Sequence, residues 1–154
     1  MPNGLLRGLD GLIYVPSTLN SEVRVFSLNE HHTLDQVDSF KIPYPIDNLS
    51  VDKNGDIFAA TFPMVYKWEE SSKDPFNTEV PSSIFKISGA GKGRAAGSKK
   101  AAKKEYVVEK VMEDTGSILP GSTITIHDVE TGRYFLGGAV SPYITICEPR
   151  MVEA

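Results

Sequence analysis

Short runs of β-branched and aromatic residues recur along the whole chain, and nearly all are bounded by Gly, Pro, Asn, Asp or Ser. Such runs are typical of β-strands, and no segment carries the apolar face of an amphipathic helix. The pattern therefore predicts an all-β fold without helices. The predicted strands are residues 5–8, 12–16, 22–28, 34–41, 48–52, 56–62, 83–88, 105–113, 122–127, 132–138 and 143–147.

A weak internal repeat groups these strands. An Asp is followed by a turn Gly and then by an apolar strand three times, starting at Asp10, Asp52 and Asp128. The first two turn glycines are 44 residues apart, and the next interval shortens to 49 once two insertions, 70–81 and 89–104, are removed. A period of about 40–50 residues with four short strands is typical of β-propeller blades.

The strand count predicts two blades and most of a third. A propeller typically closes its ring with about 4–8 blades. We therefore expect residues 1–154 to be the C-terminal part of a longer propeller. The first residues show neither the basic region nor the apolar stretch of a secretory signal, and the sequence does not assign a compartment.

Composition and charge narrow the possible partners. The net charge of −4 gives no reason to expect nucleic acid or an anionic membrane as partner. The sequence contains no run of 18 apolar residues that could form a transmembrane segment. The segment 89–104 is rich in Gly and Lys, and we interpret it as a solvated basic loop, because it contains no aromatic residue that could stack on bases.

Three polar residues stand where a propeller concentrates its chemistry. Asn3 and the pair Asp47-Asn48 each begin the first strand of a repeat, and the first strand of every blade lines the central tunnel. Their side chains offer oxygen ligands, of which Ca²⁺ takes 6–8. Asn and Asp also cap turns throughout proteins, and spacing alone leaves both interpretations open.

The positions of the histidines in the sequence do not favour a catalytic role. His31 and His32 are adjacent, so a regular strand would direct their rings to opposite sides, and a surface turn is the better interpretation. For His127 a structural role is favoured.

Three segments together resemble the C-terminal half of the serum paraoxonase/arylesterase family. They are MPNGLLRGLDGLIYVPST, YPIDNLSVDKNGDIFAATFP and GSTITIHDVETGRYFLGGAVSPYITICEP. The order N-G-L, D-N-L-S-V-D, G-S-T and Y-x-x-x-C-E carries the resemblance better than any single motif does. The resemblance implies a six-bladed propeller that hydrolyses aryl esters and lactones with a catalytic Ca²⁺, and full-length members are often secreted.

The resemblance also implies roles for individual residues. Asn3, Asp47 and Asn48 match calcium ligands, and Asp47 is the candidate catalytic residue. The family's remaining ligands and its water-activating histidines lie in the N-terminal half, which we expect as the partner of this chain; alone, the chain would be inactive. Cys147 matches a cysteine that the family pairs with one near its N-terminus, so we expect it to be unpaired here, at an edge or exposed position.

Substrate preference is the least constrained property. The resemblance implies a small-molecule ester or lactone as substrate. Positions in the wall of the family's substrate pocket are matched by Phe62, Thr123 and Val140. The family often has His at the positions of Phe62 and Pro142, so this wall departs from the family pattern. Two alternatives stay open: a non-catalytic propeller segment or scaffold, and a propeller of the gluconolactonase or strictosidine-synthase type.

Overall fold

The computed structural model describes residues 1–90, 105–119 and 121–149, and they form three antiparallel sheets. The first sheet contains β1 (Leu6–Arg7), β2 (Ile13–Ser17), β3 (Glu22–Leu28) and β4 (Leu34–Lys41). The second contains β5 (Ile46–Val51), β6 (Ile57–Thr61), β7 (Ser82–Ser88) and β8 (Val107–Asp114). The third contains β9 (Ile124–His127), β10 (Tyr134–Gly137) and β11 (Thr145–Cys147). Each sheet takes its strands in chain order, which confirms the predicted all-β, partial propeller.

The prediction of a chain without helices was wrong at one place. The helix α1 (Tyr66–Ser71) lies in the connection between β6 and β7. Its six residues are fewer than two turns, and only Ser71 is buried, so no apolar periodicity marks it in the sequence. No helix among the described residues is long and apolar enough to cross a membrane.

The second sheet is packed on both faces. All five residues of β6 are buried, and successive side chains point to opposite sides, as in any strand. Ile57 and Ala59 join the core that the second sheet shares with the first, whereas Phe58 and Ala60 join the core shared with the third. One strand therefore links both hydrophobic cores.

The first strands of the three sheets lie side by side. β5 contacts β1 and β2 on one side and β9 on the other. This arrangement brings the beginnings of the three repeats to one end of a common axis. The residues that precede β1, β5 and β9 are consequently neighbours in space despite their distance along the chain.

The basic segment predicted as a loop falls largely outside the described residues. Ala90 is buried in the core between the first and second sheets, and the next described residue is Glu105. The interpretation of residues 89–104 as a solvated loop stays a prediction.

Candidate metal centre

A β-bulge at the start of β5 brings two consecutive side chains together. Two residues, Asp47 and Asn48, lie opposite the single residue Ala60 of β6. In a regular strand neighbouring side chains point to opposite faces, and the extra residue of a bulge relaxes that rule. Asn48 Nδ2 accordingly donates a hydrogen bond to Asp47 Oδ1 at 3.0 Å.

Asn3 reaches the same carboxylate from the first sheet. Its Nδ2 donates to Asp47 Oδ1 at 2.6 Å. The Asn3 main-chain N–H donates to the carbonyl of Pro16 at 2.9 Å, and its Nδ2 also lies 3.3 Å from Thr18 Oγ1. The Thr18 hydroxyl donates in turn to the carbonyl of Ile46 at 2.8 Å. These bonds fix Asn3 against the start of β5.

Asn48 is held by the third sheet. The carbonyl of Thr123 accepts hydrogen bonds from Asn48 N at 3.2 Å and from Asn48 Nδ2 at 3.0 Å. On its other side Asn48 Oδ1 lies against Gly4, where a Cβ would stand only 2.6 Å from that oxygen. Gly4 also has φ +67°, a left-handed conformation that glycine adopts readily. All three sheets thus contribute to the position of this pair.

The Asp47 carboxylate is buried and unevenly bonded. Burial raises the pKa of its carboxyl group, and the hydrogen bond from Asn3 opposes that rise. Both amide donors point to Oδ1, and no hydrogen bond from a described residue reaches Oδ2. A cation beside Oδ2 would favour the ionised carboxylate, because an opposite charge stabilises the charged form.

The donor chemistry fits part of a calcium shell. Asn3, Asp47 and Asn48 carry four side-chain oxygens, the ligand type that Ca²⁺ prefers. The two amide nitrogens lie 2.6 and 3.0 Å from Asp47 Oδ1, and a half-turn of an amide exchanges its nitrogen for its oxygen. Such separations suit neighbouring oxygens around one ion. Among the described residues no three His, Cys, Asp or Glu side chains form a metal-binding group, so a cation here would depend on amide oxygens.

The residues assigned to a pocket wall lie at the same end of the sheets. Thr123 precedes β9, is buried, and holds Asn48 through its main chain. Phe62 is buried after β6, with its N–H bonded to the carbonyl of Pro45 at 3.0 Å. Val140 is half-buried in the connection between β10 and β11. Their part in a pocket wall stays a prediction.

A groove formed by three connections was missed from the sequence. It has a volume of about 200 Å³ and lies at the end of the sheets where β5 and β9 begin. Pro142, Phe76 and Tyr143 are part of its wall. The two aromatic side chains are 80% and 49% exposed, so their rings are open to a ligand. Irregular connections carry no periodicity from which their meeting could be predicted.

Comparisons with known proteins agree with the architecture. No curated protein matches this chain. The family model for arylesterase matches residues 1–148, a range that includes all three sheets and the segments carrying Asn3, Asp47 and Asn48. The chain therefore belongs to the arylesterase family.

Proposed function

We propose that this chain forms part of a calcium-dependent hydrolase of aryl esters and lactones, with Asn3, Asp47 and Asn48 as calcium ligands. One observation carries the proposal: two amide side chains converge on the single oxygen Asp47 Oδ1, one of them from 44 residues away. Membership of the arylesterase family supports a hydrolase that acts on esters.

Each ligand has a distinct electrostatic role in this proposal. Asp47 supplies the negative charge, and the amides of Asn3 and Asn48 supply neutral oxygen dipoles. A bound Ca²⁺ would polarise the carbonyl oxygen of the substrate and stabilise the oxyanion that develops during hydrolysis.

Asp47 has a second role in the proposal, as acceptor of a proton from the attacking water. Its Oδ2 is the oxygen that receives no hydrogen bond from a described residue. A bound Ca²⁺ would oppose the rise in pKa that burial causes and would keep the carboxylate ionised, which is the form that can accept a proton.

The substrate site in this proposal is the groove at the same end of the sheets. Phe76 and Tyr143 would stack on an aryl group, since offset aromatic pairs are favourable beyond simple burial. Phe62, Thr123 and Val140 would form the wall nearer the axis.

Calcium titration of the purified chain by calorimetry tests the ligand assignment. We expect Asp47→Asn to weaken calcium binding at least tenfold, because the substitution keeps the shape of the side chain and removes its charge. Asp56→Asn is the matched control: Asp56 is similarly buried but pairs with Lys86 at 3.0 Å. Equal calcium affinity in wild type and Asp47→Asn would contradict the metal site.

Hydrolysis of phenyl acetate and of a lactone, with calcium and with a chelator, tests the catalytic part. Turnover that requires calcium and is lost in Asp47→Asn supports the whole proposal. Calcium binding without turnover is the outcome expected of a chain that is inactive alone, and it supports the metal site only.

A further inference from the structure

Thr18 lies beside the candidate metal centre, where the first sheet meets the second. It is the first residue after β2, and β2 packs against β5. Only 7% of Thr18 is exposed, so its hydroxyl group is largely withdrawn from solvent. A buried hydroxyl needs hydrogen-bond partners within the protein, and those of Thr18 come from two different segments of the chain.

One partner of Thr18 belongs to the second sheet. The hydroxyl donates its proton to the carbonyl of Ile46 at 2.8 Å. Ile46 is the first residue of β5 and is fully buried, and the next residue is the candidate ligand Asp47. This bond therefore ties the end of β2 to the main chain immediately before Asp47.

The other partner of Thr18 is the side-chain amide of Asn3. Asn3 Nδ2 donates to Thr18 Oγ1 at 3.3 Å and to Asp47 Oδ1 at 2.6 Å. Among the residues that the structure describes, no third side chain bonds to this amide. The bond from Asn3 N to the carbonyl of Pro16 holds the backbone, but it does not restrain the two side-chain torsions of Asn3. Apart from Asp47 itself, Thr18 is therefore the side chain that orients this amide.

The chemistry of threonine suits this position. While its proton goes to the Ile46 carbonyl, the hydroxyl oxygen keeps lone pairs that can accept the amide N–H of Asn3. Threonine is also stiff at χ1, because the two branches on its Cβ restrict rotation. The hydroxyl thus has a fixed place between Asn3 and β5.

The spacing of Asn3 and Asp47 depends on how two sheets are joined, because the two residues are 44 positions apart in the chain. Calcium ligands lie about 2.3–2.6 Å from the ion, so oxygens from separate sheets have to be held close to one point. Residues behind the ligands supply this support in metal sites generally.

We infer that Thr18 is a positioning residue of the candidate metal centre. Its hydroxyl joins the Asn3 amide to the main chain before Asp47, and so it sets the separation of the ligands from the first and second sheets. The effect on calcium rests on the proposed function, whereas the restraint on Asn3 does not.

Calorimetric titration of the 154-residue chain with calcium tests the effect on the ligands. We expect Thr18→Val, which keeps the shape and removes the hydroxyl, to weaken binding about tenfold, the lower end of the usual cost of losing support behind a ligand. Thr18→Ala should act in the same way, and Thr18→Ser should retain most of the affinity because it keeps the hydroxyl.

Thr61→Val is the matched control. Thr61 is fully buried, and its hydroxyl also donates to a main-chain carbonyl at 2.8 Å, that of Ser83, without bonding to Asn3. It should lose stability as Thr18→Val does and keep the calcium affinity of the wild type. A loss of affinity in Thr61→Val equal to that in Thr18→Val would count against a specific role of Thr18.

A double-mutant cycle separates positioning from a general loss of stability. In an Asn3→Ala background Thr18 has no amide to hold, so Thr18→Val should weaken calcium binding no further. A purely structural hydroxyl would lower the affinity by the same factor in both backgrounds. Equal factors would overturn the inference, and so would unchanged affinity in Thr18→Val alone.

The motion of the Asn3 amide tests the inference without calcium. Nitrogen-15 relaxation in EDTA measures the order parameter of this amide, whose signal is identified by its loss in Asn3→Ala. We expect a lower order parameter in Thr18→Val and Thr18→Ala than in the wild type, Thr18→Ser and Thr61→Val. The same order parameter in all of them would contradict the restraint. A wild-type chain that binds no calcium but shows this difference would contradict the proposed function and support the restraint, so the two failures are distinguishable.

Discussion

His127 Nδ1 lies 2.9 Å from Asp52 Oδ2, across the boundary between the second and third sheets. Asp52 Oδ1 accepts the main-chain N–H groups of Asn54 and Asp56, so the same carboxylate shapes the turn between β5 and β6. The His127 ring stacks on Tyr134 with 4.6 Å between centroids. This pair lies at the far ends of β5 and β9 from the candidate metal centre and joins the two sheets there.

Replacement of His127 should measure the contribution of this pair to stability. His127→Phe keeps an aromatic ring against Tyr134 but leaves buried Asp52 Oδ2 without its partner. We expect the free energy of unfolding to fall by about 1–3 kcal/mol, the usual cost of an unsatisfied buried polar group. Urea unfolding measures the loss, and His31→Phe, in an exposed turn, is the control. Equal losses in the two variants would contradict a role for the pair.

A methyl group at Gly4 should disturb the candidate metal centre. Gly4→Ala would place a Cβ 2.6 Å from Asn48 Oδ1, in a backbone with φ +67°. Gly11→Ala is a matched control, since Gly11 has φ +79° and nothing within 4 Å of its Cβ position. Both variants carry the left-handed strain of roughly 1–2 kcal/mol, and only Gly4→Ala should also weaken calcium binding. Equal calcium affinities in the two variants would argue against Asn48 as a ligand.

The ionised Asp114 carboxylate should stabilise the fold at neutral pH and lose this contribution in acid. Burial raises the pKa of its carboxyl, but four main-chain N–H donors outweigh that effect, and the net pKa lies below the ordinary 3.8. Three of these bonds reach Oδ2, from Gly116 at 2.7 Å and from Ile118 and Leu119 at 3.1 Å. Because the unfolded chain binds the proton more readily, this contribution is present at neutral pH and is lost as the pH falls through the folded-state pKa.

The measurement is the free energy of unfolding in urea as a function of pH. Asp114→Asn should be less stable than wild type at neutral pH, and the difference should shrink as the pH falls below about 4. A difference that is constant across the acid range would show that the ionised carboxylate contributes nothing.

Cys147 should react slowly with thiol reagents. Burial raises the pKa of its thiol, with a further rise from the charge of Asp114, and its Sγ lies 3.8 Å from Met112 Sδ. The reactive thiolate is therefore scarce at neutral pH. Labelling of the native protein should be slower than labelling in urea and should accelerate as the pH rises. Identical labelling rates in the native and unfolded states would contradict protection of the Cys147 thiol by burial.

Local pattern was sufficient for most of the secondary structure. The strands of all three sheets were predictable, because β-branched runs between turn residues report local backbone preference and alternation. Helix α1 (Tyr66–Ser71) was not, since fewer than two turns with one buried residue leave no period to detect. The residue types of Asn3, Asp47 and Asn48 suggested oxygen ligands or turn caps, and their role as calcium ligands stays a prediction.

Only the tertiary structure decided how those residues meet. Regular alternation would direct Asp47 and Asn48 to opposite faces, and the bulge that reunites them arises from the register of β5 against β6. The contact between Asp52 and His127 spans 75 residues and exists only because the second and third sheets pack together. The sequence by itself determined the strands, the repeat and the residue types at the candidate metal centre, because these depend on the residues themselves and their neighbours along the chain. Register and sheet packing depend on distant segments, and they decided the geometry of the site.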